Sequence, residues 1–240
     1  MSILITGGAS GLGKAITCRL AASQNETVYF TYCKNKEAAE ALEKEFENAK
    51  GIKCDFRIEE EVNSLCVLIA GMELSVLINN AFPGSIEQQH FHKTDVAIFK
   101  ENFMVNILPV IQITQCAIKA FRKKKFGKII TILTSYLANK PPVGLSGYVA
   151  EKAYLQSLVK SWAAENIKYN ITSNGISPSF LRTALNADTD ERIIESMAAE
   201  HPLKKLLTVE ETAEAVEFLT KASNQINGIN LYLNAGSNVI

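Results

Sequence analysis

The chain has 240 residues, of which 47% are hydrophobic and 21% charged, and it is long enough to form a substantial core without disulfide or metal support. Its 25 Lys and Arg residues balance its 25 Asp and Glu residues, which argues against a nucleic-acid-binding protein because that class carries a basic excess. The five cysteines contain no C-x-x-C pair, and His90 and His92 have no clustered acids or thiols beside them, so the sequence predicts neither a disulfide framework nor a metal site.

The beginning of the chain is strand-like from Ser2 to Ile5, without a basic region, a long apolar run or a cleavage site. Elsewhere no apolar run reaches about 18 residues, the length needed to span a membrane. We therefore expect a cytoplasmic protein with no membrane partner, and the unpaired cysteines agree with a reducing compartment.

Short apolar runs alternate with longer segments of helical periodicity along the whole chain. The predicted strands are Ile3–Thr6, Thr27–Tyr32, Ile52–Cys54, Val76–Asn79, Lys128–Thr134, Ile171–Ser177 and Ile229–Leu233. The predicted helices are Leu12–Ser23, Lys36–Asn48, Glu59–Gly71, Asp95–Lys124, Gly147–Ile167 and Val209–Ala222. Such alternation is typical of βαβ units. It predicts the α/β class: one doubly wound, Rossmann-type domain over residues 1–240, with about seven parallel strands and helices on both faces.

Two segments interrupt this alternation. Asn139–Gly144 is a turn-rich loop after the fifth strand, and Ser177–Glu191 is a polar connection after the sixth. Ligands of open α/β sheets bind beyond the carboxyl ends of the strands. Both segments leave such ends, so we expect both to form walls of a ligand site.

A glycine-rich turn, Thr6–Gly13, follows the first strand and opens the first helix. Glycine permits a tight turn and a close approach of the backbone to a pyrophosphate, which the positive end of the helix dipole attracts. In this strand–turn–helix context the segment predicts dinucleotide binding. The second strand ends with Tyr32 in place of an acidic residue and with Lys34 two positions later. This favours NADP(H) over NAD(H), although NAD(H) and a merely solvated Lys34 stay open.

Tyr148 and Lys152 stand four residues apart at the start of a predicted helix, so they share one helical face. A phenol ordinarily titrates near pH ~10. A neighbouring ammonium stabilises the phenolate and lowers that pKa, which makes the tyrosine usable as a general acid or base. Thr134 and Ser135 supply hydroxyls at the end of the preceding strand.

Taken in this order and spacing, the motifs resemble the short-chain dehydrogenase/reductase family over essentially the whole chain. They are the T-G-x-x-x-G-x-G turn, Asp55 after the third strand, Asn79-Asn80-Ala81 after the fourth, Asn106 in the long helix, Tyr148 with Lys152, Pro178–Thr183, and the chain end from Asn227 to Gly236. Three departures are Phe82 and Ser179, each in place of a usual glycine, and Asn234-Ala235 in place of Asp-Gly.

The resemblance implies a role for each matching residue. Tyr148 exchanges a proton with the reacting oxygen, and Lys152 binds the nicotinamide ribose and lowers the pKa of Tyr148. Ser135 hydrogen-bonds the carbonyl, and Asn106 kinks its helix and relays protons through a water. Asp55 binds the adenine, and Leu181 and Thr183 bind the carboxamide side of the nicotinamide. The full set of expected cofactor-binding residues is Gly7, Ala9, Ser10, Gly11, Leu12, Gly13, Lys34, Asp55, Phe56, Asn80, Ala81, Tyr148, Lys152, Pro178, Leu181 and Thr183.

The identity of the catalytic hydroxyl depends on how residues are counted. Thirteen residues back from Tyr148 lies Ser135, the spacing common in the family, whereas counting forward from Gly127 along the strand gives Thr134. Adjacent strand residues point to opposite faces, so only one of the two reaches the substrate. We favour Ser135 and keep Thr134 as the alternative.

The resemblance implies an NADP(H)-dependent oxidoreductase that interconverts a ketone and a secondary alcohol, most like the 3-oxoacyl-carrier-protein reductases. The substrate is then a small-molecule or acyl-thioester carbonyl compound. The basic run Arg122–Lys125 and Lys168 suggest acyl carrier protein as a partner. A homo-oligomer, tetramer or dimer, is expected from the family. The alternatives are a catalytically weak cofactor-binding sensor or scaffold, and isomerase or dehydratase chemistry on the same fold.

Overall fold

A seven-stranded parallel sheet forms the centre of the molecule in the computed structural model, which describes residues 2–23, 25–84, 86–138, 140–183 and 189–237. The strands lie in the order β3-β2-β1-β4-β5-β6-β7. This confirms the predicted doubly wound α/β architecture. The strands are β1 Ser2–Ile5, β2 Thr27–Tyr32, β3 Ala49–Lys53, β4 Leu74–Asn79, β5 Gly127–Ile132, β6 Ile171–Pro178 and β7 Asn230–Leu233.

Helices connect the strands and cover both faces of the sheet. They are α1 Gly11–Ser23, α2 Lys36–Glu45, α3 Glu59–Gly71, α4 Val96–Asn106, α5 Leu108–Lys124, α6 Ser146–Asn166, α7 Glu191–Glu200 and α8 Val209–Lys221. The sequence did not predict α7, which begins where the polar connection after β6 was expected to end. Only Ile194 of this helix is buried.

Two hydrophobic layers enclose the sheet because successive strand residues point to opposite faces. In β1, Ile3 and Ile5 pack into the layer formed with α1, α2 and α8. Leu4, between them, packs into the other layer with α3, α5 and α6. All three side chains are fully buried.

The predicted helix Asp95–Lys124 is divided into α4 and α5 at Ile107. Pro109 stands in the first turn of α5, where its missing N–H removes a helical hydrogen bond and its ring disfavours a continuous helix. Together the two helices, Val96–Lys124, contain an 18-residue stretch with a mean hydropathy of 1.4, which is long and apolar enough to cross a membrane. Core helices meet the same criterion, and α5 here packs on α3, β4 and β5.

The strand order reverses between β1 and β4, which are hydrogen-bonded neighbours. The loops after these two strands leave in opposite directions along the sheet, and a crevice opens between them. The glycine-rich turn follows β1, and Asn80 follows β4. The fold therefore places the predicted cofactor turn at this crevice.

Candidate active site

A cavity of about 1210 Å³ opens at the carboxyl edge of the sheet. All sixteen residues expected to bind the cofactor line it, from Gly7 in the first loop to Thr183 in the last. Asn106 and Ser135, two of the four expected catalytic residues, do not line it. The loops of six strands thus contribute to one site.

The glycine turn depends on two glycines in particular. Gly7 has a φ of 68°, which glycine adopts without strain, and its N–H donates to the Thr31 hydroxyl at 2.8 Å. A Cβ on Gly13 would lie 2.0 Å from the Gly7 carbonyl oxygen. The first turn of α1 therefore lies directly against the loop, and its unpaired backbone N–H groups form an anion site that fits a pyrophosphate.

A network around Thr6 joins this turn to the end of β4. The Thr6 hydroxyl accepts from the backbone N–H groups of Asn80 and Ala81, each at 3.0 Å. The Asn80 side-chain amide donates to the Thr6 carbonyl at 2.9 Å. Asn80 thus lines the cavity while its side chain fixes the glycine turn.

The far end of the cavity carries the residues expected at the adenosine, Lys34 and Asp55, together with Arg57. The Asp55 carboxylate accepts from the Arg57 backbone N–H at 3.0 Å. Burial acts to raise the pKa of Asp55, but that hydrogen bond, a contact from Cys33 and the Arg57 charge together lower it. Arg57 was not anticipated from the sequence because a turn, with no helical or strand periodicity, brings it here.

Tyr148 and Lys152 both reach the cavity from the first turns of α6. Lys152 is only 5% exposed, and its ammonium donates to the Ile132 carbonyl at 2.9 Å. Burial lowers the pKa of Lys152 to about 8, a fall that the charge of Glu151 opposes. Burial also raises the pKa of Tyr148 to about 12, despite a hydrogen bond with Thr134 that lowers it. This direction is opposite to the lowering expected from the sequence, because burial outweighs the lowering that Thr134 provides.

The structure separates the two candidate hydroxyls. Thr134 is 4% exposed and lines the cavity, where its hydroxyl acts to lower the pKa of Tyr148. Ser135 begins a single 3₁₀ turn, Ser135–Leu137, and lies outside the cavity lining. The structure therefore places the alternative, Thr134, beside Tyr148, and not the favoured Ser135. The physical reason is that the chain leaves the strand direction after Thr134, so the extra loop residue falls between Thr134 and Tyr148.

Asn106 lies behind the cavity at the end of α4 and is 1% exposed. Its side-chain oxygen accepts from the Gly84 backbone N–H at 2.8 Å. Its side-chain nitrogen donates to the Glu151 carboxylate at 2.7 Å. The expected relay residue is therefore held between the loop after β4 and α6, in contact with the residue that precedes Lys152.

Phe82, where the family usually has glycine, lines the cavity and contacts the two side chains that are expected to be catalytic. Its ring meets that of Tyr148 edge-on, with 5.4 Å between centroids, and the Lys152 ammonium lies 4.8 Å from its centroid. Further apolar residues line the same cavity; these are Tyr136, Pro142, Leu145, Ile193 and Met197. The sequence did not predict that α7 contributes to this wall, because it did not predict the helix.

The basic run lies at the opposite edge of the sheet from the cavity. Lys124 ends α5 and its ammonium donates to the carbonyls of Glu73 and Leu74, at the beginning of β4. Arg122 donates to Asn166 at the end of α6. These side chains are thus engaged within the chain, at the amino ends of the strands.

The fold and the site together define a dinucleotide-binding α/β oxidoreductase. A family model described as "Enoyl-(Acyl carrier protein) reductase" matches residues 7–238. The chain belongs to the short-chain dehydrogenase/reductase family, and it is an NAD(P)-dependent oxidoreductase.

Similar proteins include reductases and dehydrogenases of different substrates. The chain is 29% identical to the 3-oxoacyl-[acyl-carrier-protein] reductase FabG of Aquifex aeolicus (strain VF5), over 97% of this chain and 95% of that protein. It is 26% identical to the 7alpha-hydroxysteroid dehydrogenase of Escherichia coli (strain K12), over 97% and 92%. Among solved structures, ElxO with NADP bound superposes with a TM-score of 0.87 at 27% identity, over 98% of each chain.

Proposed function

We propose that this protein is an NADP(H)-dependent reductase of ketones, with 3-oxoacyl thioesters as the favoured substrates. One observation carries the proposal: Tyr148, Thr134 and Lys152 line the same cavity, and the Thr134 hydroxyl is close enough to the Tyr148 phenol to lower its pKa. Such a group of side chains suits proton transfer to a carbonyl oxygen.

Three side chains of this protein take part in the proposed proton transfer: Tyr148, Thr134 and Lys152. When bound, a nicotinamide dinucleotide supplies the hydride for reduction or accepts it for oxidation. Tyr148, whose pKa is raised to about 12, is protonated at neutral pH and donates its hydroxyl proton to the carbonyl oxygen as negative charge develops there. Thr134 donates a hydrogen bond to the same oxygen, and the Lys152 ammonium stabilises the phenolate that Tyr148 leaves behind.

The adenosine end supports NADP(H) over NAD(H). Lys34 and Arg57 are two cations at this end of the cavity, and no acidic residue stands at Tyr32 to bind the ribose hydroxyls. A 2′-phosphate is doubly charged near neutral pH and pairs well with such cations. We assign the pyrophosphate to the first turn of α1, the adenine to Asp55 and Phe56, and the nicotinamide side to Pro178, Leu181 and Thr183.

The lining of the cavity supports an apolar acyl chain, because Pro142, Leu145, Ile193 and Met197 form part of it together with Tyr148. The name of the FabG relative points to the same substrate class. If acyl carrier protein delivers the acyl thioester, it must bind near the mouth of the cavity. The basic run Arg122–Lys125 lies at the other edge of the same chain, so docking on that run would serve this cavity only across an oligomer.

Substitution of Tyr148 by Phe tests the proposal. We expect NADPH oxidation with acetoacetyl-CoA to slow by a factor of about 10²–10⁴, because the proton donor is lost. NADPH binding, followed by its fluorescence, should persist, since the ring and Lys152 remain. Undiminished turnover would refute the assigned chemistry, and a wild-type protein that binds NADPH but reduces no ketone or 3-oxoacyl thioester would favour the sensor or scaffold. Product without net change in NADPH would favour an isomerase or dehydratase.

We further propose a homo-oligomeric, cytoplasmic enzyme. Large hydrophobic side chains are exposed on α4, α5 and α6, among them Val96, Met104, Leu108 and Tyr154, and such surfaces are usually covered by another subunit. Light scattering of the purified protein would report a dimer or tetramer, and a monomer at micromolar concentration would contradict the proposal.

A further inference from the structure

A buried carboxylate adjoins the catalytic pair, and the chemistry above does not use it. Glu151 directly precedes Lys152 in α6 and is only 7% exposed. Charged carboxylates are rarely buried to this degree unless another group compensates their charge. Its position therefore calls for a physical reason.

The Glu151 side chain faces α4, whereas Tyr148 and Lys152 face the cavity. Its carboxylate accepts a hydrogen bond from the Asn106 side-chain nitrogen at 2.7 Å. The other end of that amide accepts from the Gly84 backbone N–H at 2.8 Å. The amide is closely enclosed, because a Cβ on Gly84 would lie 2.4 Å from its nitrogen. Asn106 is thus held in one orientation, and that orientation requires an acceptor at position 151.

The charges around Glu151 come mainly from its own helix. Lys152 supplies the positive charge that acts on it, and Tyr148 is the other titratable group whose pKa it affects. From α4 the neighbouring group is the neutral Asn106 amide. Burial raises the pKa of Glu151, while the Asn106 hydrogen bond and the Lys152 charge lower it.

Lys152 needs such a neighbour. Its ammonium donates a hydrogen bond to a neutral carbonyl, that of Ile132, and the rings of Phe82 and Tyr148 lie beside it. A buried ammonium in this surrounding tends to lose its proton. Among the described residues, no carboxylate forms an ion pair with Lys152 within 4.0 Å, so the compensating charge acts over a longer distance.

We propose that Glu151 is a positioning residue for the reaction: its buried carboxylate fixes the Asn106 amide and supplies the negative charge that keeps Lys152 an ammonium. The proposal rests on the proposed function for its kinetic consequence, but not for its effect on cofactor binding. Lys152 is protonated below a pH of about 8. NADPH binding and turnover should therefore fall as the pH rises through that value. Without the Glu151 charge, the same fall should occur at lower pH.

The test compares Glu151→Gln with the wild type and with Glu165→Gln, a change of an exposed glutamate in the same helix. Glutamine keeps an acceptor for Asn106 and removes only the charge. We expect the alkaline fall in NADPH affinity, measured by fluorescence titration from pH 6 to 10, to move about one unit lower in Glu151→Gln. It should not move in Glu165→Gln. The alkaline limb of kcat/KM for acetoacetyl-CoA should move by the same amount.

Each result decides one question. Coincident pH profiles of Glu151→Gln and the wild type would overturn the inference about Glu151 even if the enzyme turns over. Shifted binding profiles without any turnover in the wild type would support the inference and refute the proposed function. If Glu151→Gln unfolds early on heating, Glu151→Asp replaces it. Glu151→Asp retains the negative charge, so its NADPH affinity must fall at the same alkaline pH as that of the wild type. A fall displaced by about one pH unit would overturn the inference.

Discussion

Replacing Thr134 by Val should reveal which hydroxyl the reaction uses. Valine has nearly the shape of threonine and lacks only the hydroxyl, so no cavity forms at this buried position just beyond β5. The loss removes the polar neighbour that lowers the pKa of Tyr148 and the proposed donor to the carbonyl oxygen. A single donor to a developing oxyanion is worth about 2.7–4 kcal/mol, so kcat should fall by about 10²–10³.

The stability cost of the same change should be small. Besides Tyr148, the Thr134 hydroxyl accepts from the Tyr136 backbone N–H, but at a long 3.4 Å. Loss of such a bond lowers the free energy of unfolding by about 1 kcal/mol or less. Urea unfolding of Thr134→Val therefore separates an effect on chemistry from an effect on folding.

Two further variants complete the assay, which follows NADPH absorbance with acetoacetyl-CoA at saturating cofactor. Thr134→Ser retains a hydroxyl and should keep most of the activity. Ser135→Ala should change kcat by no more than about twofold, since Ser135 is outside the cavity lining. A greater loss in Ser135→Ala than in Thr134→Val would refute the placement of the catalytic hydroxyl.

Two other predictions concern the cofactor and the chain end. Lys34→Ala should raise the KM for NADPH about tenfold, which corresponds to the loss of one charge-assisted contact, and should leave the KM for NADH nearly unchanged. Lys44→Ala, on the exposed side of α2, serves as the control. An equal rise in KM for both cofactors would contradict the NADP(H) preference. Ala235 has a φ of 50°, a left-handed conformation that glycine adopts without strain, so Ala235→Gly should raise the free energy of unfolding by about 0.5–1 kcal/mol. The control, Ala41→Gly in the middle of α2, should lower it by about 1 kcal/mol. If Ala235→Gly lowers the free energy of unfolding, the left-handed conformation of Ala235 is not strained.

The sequence predicted most of the fold because its alternation of apolar runs is regular, and parallel order follows from connections of helical length. It also predicted which residues line the cavity, since strand ends of a doubly wound sheet meet at one edge. It could not decide between Thr134 and Ser135. Spacing from Tyr148 assumes a fixed loop length, and the 3₁₀ turn Ser135–Leu137 adds a residue that no periodicity reveals.

Electrostatic properties were harder to predict than positions. The i, i+4 spacing correctly put Tyr148 and Lys152 on one helical face. Whether the pKa of Tyr148 is raised or lowered, however, depends on burial by Phe82 and other residues that are distant in sequence. The sequence did not single out Glu151 either, because its burial also depends on residues distant in sequence. A glutamate in a helix is usually solvated, and only the packing of α4 against α6 shows that this one is buried.

The network around Thr6 links ligand binding to the folding of the whole domain. Its hydroxyl accepts from backbone groups 74 and 75 residues further along the chain, so the pyrophosphate turn acquires its shape only after β1 and β4 have paired across that separation. No fragment lacking either strand can hold the cofactor turn in place. Conversely, cofactor at a hundred times its Kd should stabilise the native chain by about 2.7 kcal/mol. The amount of cofactor in the cell would then influence how long each molecule survives proteolysis as well as how fast it works.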